Sequence, residues 1–150
     1  MVQYIPRGPF FIVSQLNGKV IDVAGGSEKD GAHIVVWEKK DEDNANQLFE
    51  YRRGFFINLN SGKVLDVKGG RIKHDTHIIQ YSQKDTQEDS ANQSWLIDHE
   101  GYIHTAADPT LVLDIRGASE KDGAEVILYE KQEGEEASNQ RWDLVALEEL

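Results

Sequence analysis

The 150-residue chain contains no cysteine. That excludes a small fold stapled by disulfides and removes thiolate from the available metal ligands. Long apolar runs are missing as well. The longest spans five or six residues, too short to cross a bilayer as a helix. Basic charge is scarce: 16 Lys and Arg stand against 27 Asp and Glu, a net charge of −11. Acid collects in EKKDED (38–43) and EKQEGEE (130–136), and no basic stripe offsets it. Such a surface repels a phosphate backbone, so nucleic acid is not expected as a partner. The opening MVQYIPRGPFFIVSQ lacks a charged segment followed by a long apolar one, the pattern of a secretory signal. With no cysteine either, the expectation is a cytoplasmic or unconventionally secreted protein that does not insert into membranes.

Chemical machinery is equally sparse. The five His residues show no metal-ligand spacing: His33 and His77 are equivalent in the repeats described below, but Glu125 takes that place in the third. No Gly-rich phosphate loop or nucleophile elbow appears. Neither a metal nor a cofactor is expected. Sustained 3.6-residue periodicity is absent, and short alternating runs separated by turn residues argue for an all-β chain.

What the chain does have is one passage written three times. The copies are KVIDVAGGSEKDGAHIVVWEKKDEDNANQLF, KVLDVKGGRIKHDTHIIQYSQKDTQEDSANQSW and LVLDIRGASEKDGAEVILYEKQEGEEASNQRW. Each holds an Asp in an apolar run (Asp22, Asp66, Asp114) and an aromatic 15 residues later (Trp37, Tyr81, Tyr129). An Asn-Gln pair follows (Asn46-Gln47, Asn92-Gln93, Asn139-Gln140), closed by Phe49, Trp95 or Trp142. The Asp-to-Asp steps are 44 and 48 residues, a period that governs the whole architecture. The repetition of polar residues exceeds what a repeated core requires.

Asn17-Gly18 and Ser61-Gly62 read as hairpin turns, replaced in the third copy by Ala106-Ala107-Asp108-Pro109. Ile34 and Val36 alternate with His33, Val35 and Trp37, so the aromatic lies on the face opposite the core. Gln80 stands where Val36 and Leu128 stand, which predicts a less buried strand end in the second copy. Gly25-Gly26, Gly69-Gly70 and Gly117 mark a sharp turn after each Asp-bearing strand. Three near-equal units without end caps predict a closed threefold arrangement, not an open solenoid. The expected organisation is one domain over residues 1–150, with repeats at about 8–52, 53–99 and 100–146, each of about four strands.

The threefold Gln-x-aromatic element, Gln47-Leu48-Phe49, Gln93-Ser94-Trp95 and Gln140-Arg141-Trp142, resembles the Gln-x-Trp signature of the ricin-type β-trefoil lectins. The resemblance covers roughly residues 10–144. It implies a β-trefoil with up to three shallow sites for galactose or N-acetylgalactosamine. In that family an Asp bonds two sugar hydroxyls, an aromatic stacks on the sugar face, and an Asn bonds a further hydroxyl. Carried over, the sets are Asp22, Trp37 and Asn46; Asp66, Tyr81 and Asn92; and Asp114, Tyr129 and Asn139. Phe49 departs from the family's Trp, a matter of packing more than of ligand contact. Val35, Ile79 and Ile127 stand where some members carry a polar Gln.

These residue types suit a sugar. A carboxylate accepts hydroxyl protons in charge-assisted bonds of about 1.5–3 kcal/mol each. A flat ring covers the patch of C–H groups at little cost in side-chain entropy. An amide both donates and accepts, as a hydroxyl does. Shallow sites recover part of this, so each is expected to bind at about 0.1–1 mM. The Gln-x-aromatic elements read mainly as structural: the Gln residues satisfy backbone groups and Phe49, Trp95 and Trp142 fill the core.

Reversible recognition, not catalysis, is therefore expected, because every polar residue recurs three times in like surroundings whereas a glycosidase keeps one cleft with two unlike carboxylates. The expected partners are galactose- or N-acetylgalactosamine-containing glycans on proteins or lipids, and a homodimer is left open. Two other readings stay open: a trefoil that binds a protein target, as protease inhibitors do, and a targeting component of a toxin acting through cell-surface glycans.

Overall fold

Alternating apolar residues and the recurrent turns produce twelve short strands in the described residues, 5–86 and 88–147 of a computed structural model. The first repeat supplies β1 (Phe10–Ser14), β2 (Val20–Val23), β3 (Ile34–Trp37) and β4 (Phe49–Arg52). The second supplies β5 (Phe55–Asn58), β6 (Val64–Val67), β7 (Thr76–Tyr81) and β8 (Trp95–Ile97). The third supplies β9 (Ile103–Thr105), β10 (Leu111–Ile115), β11 (Val126–Glu130) and β12 (Trp142–Ala146). Between them lie only short 3₁₀ turns among the described residues.

The outer strands of each repeat build a ring. β1 pairs antiparallel with β12 and β4, β4 with β5, and β8 with β9. The remaining joints are made by Trp95 N–H donating to Gly54 O (2.9 Å) and Trp142 N–H donating to Gly101 O (2.8 Å). The inner strands form three hairpins, β2–β3, β6–β7 and β10–β11. These meet at the pseudo-threefold axis through one contact repeated cyclically: His33 with Ile79, His77 with Ile127, and Glu125 with Val35. The chain forms the closed all-β threefold arrangement expected from the repeats and the β-trefoil that the resemblance implied.

The core follows from the same symmetry. Phe49, Trp95 and Trp142 are fully buried at the start of the fourth strand of each repeat, among Phe10, Phe56 and Ile103. Trp95 Nε1 donates to Leu65 O (3.1 Å) and Trp142 Nε1 to Leu113 O (3.2 Å), so each indole is both packed and satisfied. Phe49 fills the equivalent space without a donor.

Two local features depend on glycine. The turn after each Asp-bearing strand places Gly25, Gly69 and Gly117 at φ 66°, 67° and 64°, where a Cβ is strained. Gly101, at φ 96°, lies so close to β12 that a Cβ would sit 2.6 Å from Trp142 O. Gly101→Ala should therefore lower stability by about 2–3 kcal/mol, read as a reduced urea midpoint at constant slope.

One expectation is overturned. Gln80 is 1% exposed, not a loose strand end. Its Nε2 donates to Ser27 O and Lys29 O (both 2.9 Å), and its Oε1 accepts from Ser61 Oγ at 2.8 Å. A buried amide with three partners costs little and here ties the first repeat to the second.

Candidate functional site

Each hairpin carries the Asp and the aromatic of one set, and the Asn comes from the 3₁₀ turn that precedes the repeat's fourth strand. Asp22, Asp66 and Asp114 lie opposite Val35, Ile79 and Ile127 in the hairpin registers, and the aromatic closes the rim two residues further on. The carboxylates are only 4%, 2% and 5% exposed, while Trp37 and Tyr81 are 43% and 40% exposed. A nearly buried anion beside an exposed ring is an arrangement suited to a ligand with a polar edge and an apolar face. The hollow at the first set measures about 930 Å³ and is lined by Asp22, Trp37, Lys40, Asn46 and Gly123, among others. The second, at Asp66, Tyr81, Lys84 and Asn92, is narrower, about 220 Å³.

The Gln of each signature holds the Asp. Gln47 Nε2 donates to Asp22 Oδ2, Gln93 Nε2 to Asp66 Oδ2 and Gln140 Nε2 to Asp114 Oδ2, all at 2.9 Å. The second proton of each amide goes to a backbone carbonyl, Glu38, Ser82 or Glu130, and each Oε1 accepts a backbone N–H, from Lys40, Lys84 or Gln132. The expected backbone role is present, and a positioning role accompanies it.

The Asn residues are already partnered. Asn46, Asn92 and Asn139 donate through Nδ2 to Val23 O, Val67 O and Ile115 O, bracing the turn beneath the site. In the first two sets Oδ1 accepts from a lysine, Lys40 Nζ at 3.2 Å and Lys84 Nζ at 3.1 Å. The third repeat has Gln132 at that position. Both lysines stand three residues after the aromatic, but the third copy's Gln132 breaks the repetition that would mark them in the sequence.

Burial pushes all three carboxyls above the ordinary aspartate value, against the stabilising hydrogen bond from Gln. Lys40 and Lys84 counteract burial at Asp22 and Asp66. Asp114 has no such cation, feels the negative charge of Asp75, and is pushed up to about 6. The third set differs in its ring too. His74, from the loop between β6 and β7, stacks on Tyr129 with 5.5 Å between centroids, and Tyr129 is partly buried. So all nine candidate residues fall into three sets, two nearly alike and one modified.

Among the described residues no cluster of His, Asp or Glu has metal-binding geometry. His33, His77 and Glu125 gather at the pseudo-threefold axis, where the rings lie 5.3 Å apart and His77 Nδ1 is 3.1 Å from Glu125 Oε2.

Comparison with known proteins agrees with this fold. The family model for the ricin-type beta-trefoil lectin domain matches residues 8–142. Mucoricin of Rhizopus delemar is 59% identical over 100 residues, covering 67% of each chain. Among solved structures, the mdaA-1 domain superposes with a TM-score of 0.89 at 29% identity, over 98% of this chain and 94% of its own. The designed threefold-symmetric protein ThreeFoil gives 0.76 at 31% identity, over 93% and 99%. The earthworm R-type lectin C-half, solved with GalNAc, gives 0.73 over 93% and 98%, with 23% identity, a likeness of fold.

Proposed function

The chain belongs to the ricin-type β-trefoil lectin family, and from that premise we propose that it binds galactose- or N-acetylgalactosamine-type glycans at up to three sites. The observation that carries the reading is the threefold recurrence of a buried carboxylate, aimed by its Gln, beside a rim aromatic that is exposed in the first two sets and partly buried in the third. An Asp oxygen accepts from vicinal sugar hydroxyls, Lys40 or Lys84 adds a donor, and Trp37, Tyr81 or Tyr129 covers the C–H face. Binding is reversible and displaces water without covalent chemistry. A trefoil that recognises a protein through its loops would have no need of these three sets. The test is a glycan array with free galactose as competitor: the reading predicts galactoside-terminated hits that galactose removes, and glycan-independent protein binding would overturn it.

The sites lie on three hairpins related by the pseudo-threefold axis and face different directions. One molecule can then bridge separate glycans, and avidity on a dense surface should exceed single-site affinity by about 10²-fold or more. Delivery of a toxic activity through cell-surface glycans is compatible with these same sites. It is distinguished by whether galactose blocks any cell damage together with binding.

Acidification should separate the sites. A protonated Asp loses acceptor capacity, and Asp114 titrates at about 6. In Asp22→Ala/Asp66→Ala, which retains the third set alone, affinity should fall several-fold between about pH 7 and pH 5. In Asp114→Ala the remaining sites should hold better over that range, because Lys40 and Lys84 favour the ionised carboxylates. Titration calorimetry across the range reads the difference.

A further inference from the structure

The loop between β6 and β7 breaks the internal symmetry in one direction. The equivalent loops of the first and third repeats read Ser-Glu-Lys-Asp-Gly (27–31 and 119–123), while the second reads Arg-Ile-Lys-His-Asp (71–75). Over residues 68–77 the second repeat gathers Lys68, Arg71, Lys73, His74 and His77 against one carboxylate, Asp75. Residues 24–33 set Glu28 and Asp30 against Lys29 and His33, and residues 116–125 set Glu120, Asp122 and Glu125 against Arg116 and Lys121. In a chain of net charge −11 this is a local reversal of sign.

The replacement gains nothing for the backbone. Asp75 sits at φ 70°, where Gly31 and Gly123 hold φ 89° and 88°, a conformation that favours glycine. Asp30 and Asp122 accept the backbone N–H of the residue after the neighbouring aromatic, Ser82 at 2.8 Å and Glu38 at 3.0 Å. His74 occupies that position in the second loop and stacks on Tyr129 instead. The basic side chains of this loop therefore take no part in holding the backbone turn.

Its charges are available. Arg116 takes Asp75 at 2.6 Å, and His77 faces Glu125. Lys68, Arg71 and Lys73 have no carboxylate within ion-pair distance among the described residues, whereas Lys19, Lys63 and Lys131 each have one. The side chains line a hollow of about 750 Å³. Gly69 lines both this hollow and the one at Asp66 and Tyr81, so the cleft opens beside the second candidate sugar site.

We propose that this cleft is an anion subsite that takes a sulfate or carboxylate group carried by a glycan whose galactose-type residue occupies the Asp66 site. The inference rests on the lectin reading above. An Arg fork and two ammonium groups match an oxyanion. The acidic remainder of the surface repels a long polyanion, so the fit is to an isolated charged group on a sugar.

The test is calorimetry of lactose, 3′-sulfated lactose and 3′-sialyllactose against the intact chain and against Lys68→Ala/Arg71→Ser/Lys73→Ala. Ala and Ser are the first repeat's residues at two of those positions, Ala24 and Ser27. At about 0.05 M salt at least one acidic sugar should bind about tenfold tighter than lactose, an advantage that shrinks at about 0.5 M. The triple variant should lose the advantage and keep its affinity for lactose, and Asp66→Ala should also lose the advantage. If lactose binds and neither acidic sugar gains, or if the gain survives the triple substitution, the subsite is overturned and the lectin reading stands. Inorganic sulfate binding as tightly as the sulfated sugar would overturn the coupling to the glycan. If all three sugars fail to bind, the lectin reading falls, and this inference with it.

Discussion

Asp114→Asn should abolish one binding site and, at neutral pH, make the fold more stable. A carboxyl raised to about 6 by burial is more easily protonated in the folded chain than in the unfolded one. Between the ordinary aspartate value and about 6 the native state holds more protons than the unfolded state, so stability falls as pH rises through that window. The favourable contribution is fully present below the unfolded value and lost above about 6. At pH 7 the ionised Asp114 therefore costs about 1–3 kcal/mol, which the neutral amide removes if it keeps the partner Gln140 at Nε2. Urea melts of the wild type and Asp114→Asn should differ at neutral pH and converge towards about pH 4. Equal stability at both would show that burial does not strain this carboxylate.

On the binding side, Asp22→Ala, Asp66→Ala and Asp114→Ala should each remove one site. Loss of a charge-assisted acceptor weakens the affected site by about 10-fold to 100-fold, below detection for a site that starts near millimolar. The triple variant should fold and bind nothing, because each partner Gln keeps its two backbone contacts. Calorimetric stoichiometry counts the sites. A stoichiometry of one, abolished by a single substitution, would mean that two repeats serve only as scaffold. The third is the set most altered, by His74, Asp75 and Gln132.

Trp142→Ala should have the largest effect on stability, about 3–5 kcal/mol. The indole is fully buried at the joint between the third repeat and the first, and its Nε1–H is bonded to Leu113 O. Removing it empties a cavity at the closure of the ring and orphans a buried carbonyl. Trp142→Phe should cost less, because Phe49 occupies the equivalent position in the first repeat without a donor. Chemical denaturation of both variants tests the order. A loss from Trp142→Ala of under about 1 kcal/mol would show that the ring can close without this side chain.

The sequence alone determined the architecture. Three copies of one pattern cannot each bury their apolar faces independently, and near-identical copies have no ends to cap, so closure about a threefold axis was legible from the period. Alternation set the faces too: Ile34 and Val36 went into the core and Trp37 to the rim because side chains in a strand point to opposite sides. The spacing of Asp, aromatic and Asn-Gln grouped nine candidate residues without coordinates. What the spacing left undecided was how each polar atom is used. The Gln read as structural also clamps the Asp, since a hydrogen bond across 25–27 residues of chain leaves no local trace. Gln80 read as a loose end because its partners belong to the neighbouring repeat. The inequality of the three sites was decided the same way. His74 and Asp75 come from the second repeat but act on Tyr129 and Asp114 of the third. A repeat compared with its own copies shows which residues changed. Only packing one repeat against the next brings those changes to a particular site, because each rim is built from two repeats.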